Sequence, residues 1–182
     1  TAGAMNTLNA AGYLIGALAL PRALALIDAR RLFLGGCLGT VLTLALHGAV
    51  TGDAALDLLR LLSGVTSAAT FATGGLLAAR IGGTRAGMVL GIYYGGTGVG
   101  IVASALLVPP LAARAVPHAW QGAWWALAAA ALLATAVAAA ATRTLAAPAV
   151  VGAQREPVRW ATFGFGLAGY GCFGLGYIGY MT

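Results

Sequence analysis

Lysine is missing altogether from this chain, and acidic side chains nearly so: four Asp and Glu stand among 182 residues. Charged residues make up 8% of the sequence, where a soluble domain carries about a quarter. So few charges do not build a water-facing surface, and a polytopic membrane protein is expected instead. All of the positive charge is arginine, ten residues, for a formal net charge of +6. In so apolar a chain this basicity points to membrane topology, not to a nucleic-acid surface. Cysteine is scarce as well. Cys37 and Cys172 both lie in apolar stretches and neither sits in a CxxC pair, which argues against disulfide and structural-metal chemistry. No GxSxG or HExxH motif occurs, and His47 and His118 fall at opposite ends of different helices. An intramembrane enzyme therefore lacks a convergent catalytic set. There is no signal peptide and no initiator methionine, and the chain stops on Thr182 inside an apolar run. A fragment of a longer protein is expected.

What the chain has in abundance is apolar length, with 60% hydrophobic residues and a mean hydropathy of +0.91. The most informative stretch is 87–110, GMVLGIYYGGTGVGIVASALLVPP, which is long enough to cross a bilayer yet carries six glycines. In water each would weaken a helix by about 1 kcal/mol against alanine. In lipid the helix persists, because its backbone has nothing else to bond, and glycine admits a close neighbour. At 100° per residue Gly87, Gly91, Gly95 and Gly98 share one side, and Tyr93, Thr97 and Ser104 the other. One face reads as a helix-packing seam and the other as a polar lining. A nucleotide loop at Gly96–Gly100 is disfavoured, since no strand precedes it and no acid follows before Glu156. A helix whose glycines serve packing alone is the plainer alternative.

The remaining spans follow from apolar runs and their punctuation. The first covers about 5–20 and closes at Pro21-Arg22; Asn6, Asn9, Tyr13 and Gly16 lie within a quarter of its circle. Scaffolding hydrogen bonds and ligand contact are both open to these residues. The second covers about 32–50, with Thr40, Thr43 and His47 on one face; a lone histidine near a helix end reads first as a capped or hydrated interface residue, and only then as a relay. The third covers about 54–79 and holds Arg60, roughly 9 Å in from its start. Arg60 could snorkel outward or pair with Asp57, but Ser63, Gly64, Ser67 and Gly74 share its side. An intramembrane charge in small, polar surroundings is a functional candidate. After the basic 80–85 loop and the glycine span, Trp120, Trp124 and Trp125 read as an interfacial belt. The fifth span, about 122–146, reads as a scaffold helix on the outside of the bundle. Another apolar run starts at Trp160, with Phe163, Tyr170, Phe173, Tyr177 and Tyr180 on one stripe, facing either lipid or a cavity.

The loops after spans one, three and five hold eight arginines, and the intervening loops hold only Arg114. By the positive-inside rule the former are cytoplasmic and Arg60 lies toward the outer side. The expected organisation is a transmembrane bundle over 1–147, a cytoplasmic central loop over 148–159, and the start of a second bundle over 160–182.

These residues resemble a known family. Arg60-Leu-Leu-Ser-Gly64-Val-Thr-Ser-Ala resembles the arginine motif of the fourth helix of the major facilitator superfamily. Gly91-Ile-Tyr-Tyr-Gly95-Gly96-Thr97-Gly98-Val-Gly100 resembles the glycine motif of its fifth helix. Asn9-Ala-Ala-Gly12-Tyr13-Leu-Ile-Gly16 and Gly169-Tyr-Gly171-Cys-Phe-Gly174-Leu-Gly176-Tyr177 look similar to its YbfB/YjiJ branch. Two positions depart from the pattern. No acid precedes Arg22 in the loop motif, and Gly96 stands where the glycine motif has proline.

The resemblance implies an all-α transmembrane bundle, part of the twelve-helix fold from its second helix into its seventh, in a bacterial inner membrane. It implies a secondary transporter of a small solute working by alternating access, with lipid and solute as partners, no cofactor and no metal. Arg60 would offer charge to an anionic group, and Asn9, Tyr13, Tyr93, Thr97 and Tyr177 would line the path. No Asp or Glu lies in the core of any span, so the coupling ion, a proton included, is left open. A non-transporting membrane scaffold or sensor, and an intramembrane enzyme, are the alternatives.

Overall fold

The computed structural model describes residues 2–143, 164–165, 167–169 and 171–172. The chain divides into two compact units, Thr1–Ala149 and Val150–Thr182. In the second, the described residues are helical. Tyr177, the rest of the aromatic stripe and the central loop lie outside the described residues.

The first unit consists of α1 (Ala2–Leu26), α2 (Ala29–His47), α3 (Asp53–Gly82), α4 (Ala86–Ala112) and α5 (Ala119–Ala141). The shortest has 19 residues, about 28 Å of helix, close to the thickness of a hydrocarbon core. Helices α1, α2 and α5, and the stretch Asp53–Ala112 that joins α3 to α4, are long and apolar enough to cross a membrane. No strand occurs among the described residues.

Two proline positions correct the expected span ends. Helix α1 continues through Pro21 to Leu26, and α4 continues through Pro109 and Pro110 to Ala112. Proline removes a donor but not an acceptor, so the ladder resumes beyond it. The Ala113 N–H donates to the Pro109 carbonyl at 2.9 Å, and the Ile27 N–H to that of Ala23 at 2.8 Å. The 80–85 loop is tighter than expected: α3 runs to Gly82 and a 3-10 turn, Gly83–Arg85, leads directly into α4. Gly83 takes a φ of 49° there, the left-handed region that favours glycine. Helix α2 starts at Asp28, whose carboxylate accepts the Arg31 N–H at 3.0 Å.

Helix α3 touches α1, α2 and α4, while α5 packs on α2 and α4. Helices α2, α3, α4 and α5 therefore close a ring, and α1 lies against the outside of α3. The seams are made of small residues. Gly12, Gly16 and Gly64 are buried where α1 crosses α3, and Gly36 and Gly39 of α2 meet Thr70 and Thr66 of α3. Large apolar side chains such as Leu18, Ile92, Leu106, Leu133 and Val137 point outward, whereas Thr43, His47, Thr73 and Thr135 are buried. Lipid explains this inversion: apolar bulk gains nothing by leaving it, so close backbone packing holds the helices together.

The expected seam on α4 is corrected. A Cβ at Gly87, Gly91, Gly95 or Gly98 would meet nothing within 4 Å, so these glycines pack on no described residue. Helix α4 instead approaches through its tyrosines. The Tyr93 ring seats on Gly74, and the Tyr94 hydroxyl lies 2.7 Å from where a Gly75 Cβ would stand. The glycines that admit this contact belong to α3. Helical periodicity states which residues share a side, not which side meets a neighbour.

Candidate functional site

Two arrangements of polar side chains occur, at different heights along α3. The first lines an open pocket of about 440 Å³ among α2, α3, α4 and α5. That volume is in the range of small-molecule sites. Its wall is Phe33, Cys37 and Thr40 from α2, Thr70 and Phe71 from α3, and Tyr93, Gly96 and Thr97 from α4. Helix α5 adds Ala131, Ala134, Thr135 and Ala138, so it forms a cavity wall rather than an outer scaffold. Among the described residues no charged side chain lines this space.

The hydroxyls in the wall are pre-set by their own backbones. Thr40 donates to the Gly36 carbonyl at 3.0 Å, Thr70 to that of Thr66 at 3.0 Å, and Thr135 to that of Ala131 at 2.7 Å. Tyr93 donates across to α3, to the Phe71 carbonyl at 3.1 Å or the Thr70 carbonyl at 3.3 Å. Thr70, Thr135 and Tyr93 have each used their single donor on a carbonyl. The Thr40 proton is shared between the Gly36 carbonyl and the Thr66 hydroxyl oxygen at 3.2 Å, so what these groups have left to offer is acceptor capacity. Thr97 makes no hydrogen bond among the described residues. The cavity thus offers acceptors in an apolar, aromatic setting, with Thr97 free to do either.

The second arrangement gathers on Trp124 of α5. The Arg60 guanidinium carbon lies 4.9 Å from the centre of the Trp124 ring, and the His47 ring stacks on the same indole at 4.5 Å. A cation over an indole face is attracted by the ring quadrupole. Arg60 forms no ion pair with Asp57; the ion pair among the described residues is Arg31 with Asp28. His47 is buried rather than hydrated, because α5 brings Trp124 over it, and its Nδ1 lies 2.7 Å from the Thr43 carbonyl at the end of its own helix. Trp124 is half-buried and turned toward His47 and Arg60. Trp125 stays half exposed and donates its indole N–H to the Gly48 carbonyl at 3.1 Å, fastening α5 to the end of α2. At the other end of α2, Arg30 donates to the carbonyls of Thr142 at 2.8 Å and Ala139 at 3.5 Å. These are carbonyls left open at the end of α5.

The expected site residues are therefore divided. Tyr93 and Thr97 share the cavity. Arg60 does not line it: ten residues separate Arg60 from Thr70, about 15 Å along α3. Asn9 belongs with Arg60 by its backbone, donating to the Arg60 carbonyl at 3.2 Å across the α1–α3 seam. Tyr13 is half-buried one turn later on α1, its backbone against Gly64. Sequence reasoning did not find Trp124 and His47 as partners of Arg60, nor Phe33, Cys37, Phe71 and Thr135 as cavity wall. The shared face of Thr40, Thr43 and His47 was the one usable signal, since it placed a histidine in line with hydroxyls that are now found inside.

Compared with known proteins, residues 1–182 match the family model described as uncharacterised MFS-type transporter YbfB. No curated protein and no solved structure matches the chain.

Proposed function

The chain belongs to the major facilitator family of transporters that this description names, as a multi-pass membrane protein, and from that premise we propose that it moves a small solute by alternating access. The observation that carries the proposal is the open pocket of about 440 Å³ lined by α2, α3, α4 and α5. Its aromatic and hydroxyl wall suits a small solute with hydrogen-bond donors, held by the oxygens of Thr40, Thr70, Thr97 and Thr135. Tyr93 fixes the wall by tying α4 to α3. The membrane is a bacterial inner membrane, with the ends of α1, α3 and α5 on the cytoplasmic side.

An anionic solute is the second reading, favoured by the Arg60 guanidinium, which lies on Trp124 without a carboxylate partner among the described residues. In that case Arg60 meets the anion at its own level of α3 and the hydroxyl cavity receives the rest of the molecule. Uptake of labelled anionic, cationic and neutral solutes into proteoliposomes of the intact protein tests both. Cys37 provides the control, because it is a native thiol in the cavity wall. A thiol reagent should stop uptake in wild type and spare Cys37→Ser. Uptake no better than in protein-free vesicles for every solute class would overturn the transporter proposal and favour a scaffold or sensor.

A further inference from the structure

The pocket among α2, α3, α4 and α5 has two unlike walls. One is aromatic. Phe33 and Tyr93 meet over Gly74, where a Cβ would stand 2.9 Å from Phe33 Cε2 and 2.7 Å from Tyr93 Cζ. The Phe71 ring centre lies 6.2 Å from that of Tyr93. The other wall is α5, which packs on α2 and α4 and so faces α3 across the pocket. It presents methyl groups at Ala131, Ala134 and Ala138, a stripe at helical spacing, with the Thr135 hydroxyl among them. The polar atoms are unbalanced as well. Thr40, Thr70, Thr135 and Tyr93 have their protons on carbonyls or on Thr66 and offer lone pairs.

Resting on the transport proposal above, we propose that this pocket takes an uncharged planar ring system bearing an O–H or N–H donor, and that the alanine stripe of α5 sets the thickness it accepts. An ion would meet no counter-charge among the described lining residues, and burying an unpaired charge is costly. A flat ring gains offset or edge-to-face contacts with Phe33, Phe71 and Tyr93 that a saturated skeleton of equal size does not. A solute that only accepts hydrogen bonds finds Thr97 alone to donate, whereas one that donates has the other hydroxyl oxygens to choose from. Size follows from volume. A cavity of about 150 Å³ holds benzene. The pocket, at about 440 Å³, therefore admits two fused rings with a substituent.

A lipid acyl chain is the competing occupant. It would fill the apolar space, but it makes no ring pairs and leaves the Thr70 and Thr135 oxygens unmet. Two positions on α5 separate the cases. Ala134 lines the pocket and is exposed, so the fold tolerates leucine there and the larger side chain occupies the slot. Thr135 is buried and donates to the Ala131 carbonyl at 2.7 Å. Valine at that position keeps the shape and removes the oxygen that a solute donor would use.

Cys37, a native thiol in the same wall, reports occupancy. The test uses the intact protein in lipid nanodiscs, with Cys172 and any further cysteine replaced by serine. Alkylation of Cys37 by a membrane-permeant maleimide is timed with naphthol, its methyl ether, its saturated analogue decalol, and naphthoate. Naphthol should slow the reaction saturably. The ether should bind about fivefold more weakly, the ordinary effect of one lost hydrogen bond. Decalol should lose about as much with its ring contacts, and naphthoate should not protect. Thr135→Val should narrow the gap between naphthol and its ether, and Ala134→Leu should abolish protection while Cys37 still reacts. Saturable binding of tritiated naphthol, read against empty nanodiscs, repeats every comparison without the thiol. Decalol equal to naphthol overturns the proposal, as does naphthoate better than either. So does naphthol binding unchanged in Ala134→Leu, the mark of an effect through the bilayer, or no saturable binding at all, as with a resident acyl chain. None of these readings depends on flux, so uptake of another solute without naphthol binding would overturn this proposal and leave transport standing.

Discussion

Replacing Gly64 with alanine adds one methyl group where α1 and α3 cross, and the structure leaves no room for it. The new Cβ would stand 2.6 Å from the Tyr13 backbone nitrogen and 2.9 Å from the Gly12 carbonyl carbon, and closer still to the Asn9 carbonyl oxygen. Ordinary contact needs about 3.5 Å, so the helices must separate by about 1 Å. None of these neighbours is a flexible side chain that could swing aside. Overpacking of this kind costs about 1–3 kcal/mol, and losing the Asn9–Arg60 hydrogen bond across the same seam adds about 1 kcal/mol. Together about 2–4 kcal/mol corresponds to roughly 30- to 700-fold in the folding equilibrium. In lipid no hydrophobic force between helices compensates for the lost contact. The assay is reversible unfolding of the intact protein in mixed micelles, with Gly91→Ala alongside. Gly91 has open space around its Cβ position, so alanine there should cost nothing or stabilise slightly. Gly12→Ala should resemble Gly64→Ala, and the double variant should cost less than the two singles added, since one separation accommodates both methyls. Equal stability of Gly64→Ala and Gly91→Ala would refute the reasoning.

Further outcomes concern charge, topology and the cavity wall. Arg60→Gln should lose most uptake at normal membrane levels, Arg60→Lys should keep part of it, and Asp57→Asn should stay within about twofold, the smaller effect of a carboxylate not paired at rest; uptake normalised to protein checks all three. A cysteine at Gly82 or Gly83 should be shielded from impermeant reagents applied outside, and one beside Asp53 should react with them. Tyr93→Phe removes the hydrogen bond from α4 to the Phe71 or Thr70 carbonyl, which should cost about 1 kcal/mol in the same unfolding assay.

Hydropathy, glycine content and arginine placement were enough to establish a multi-spanning helical bundle and its resemblance to a transporter family. Those properties are local: apolar length makes a span in lipid, and loop charge sets the direction of insertion. The third-helix candidate Arg60 was legible for the same reason, because a charge inside an apolar run is visible without knowing its neighbours. Its company was not. Whether Arg60 met Asp57 or Trp124 depended on where α5 brought Trp124, a residue 64 positions further along the sequence. The glycine seam of α4 failed on the same ground. Periodicity placed Gly87, Gly91, Gly95 and Gly98 on one side, but the close approach occurs where α3 supplies the glycines and α4 the tyrosines. The same packing buried His47 and turned the alanine-rich α5 into a cavity wall, since in a bilayer small residues fit the inside of a bundle as well as the outside.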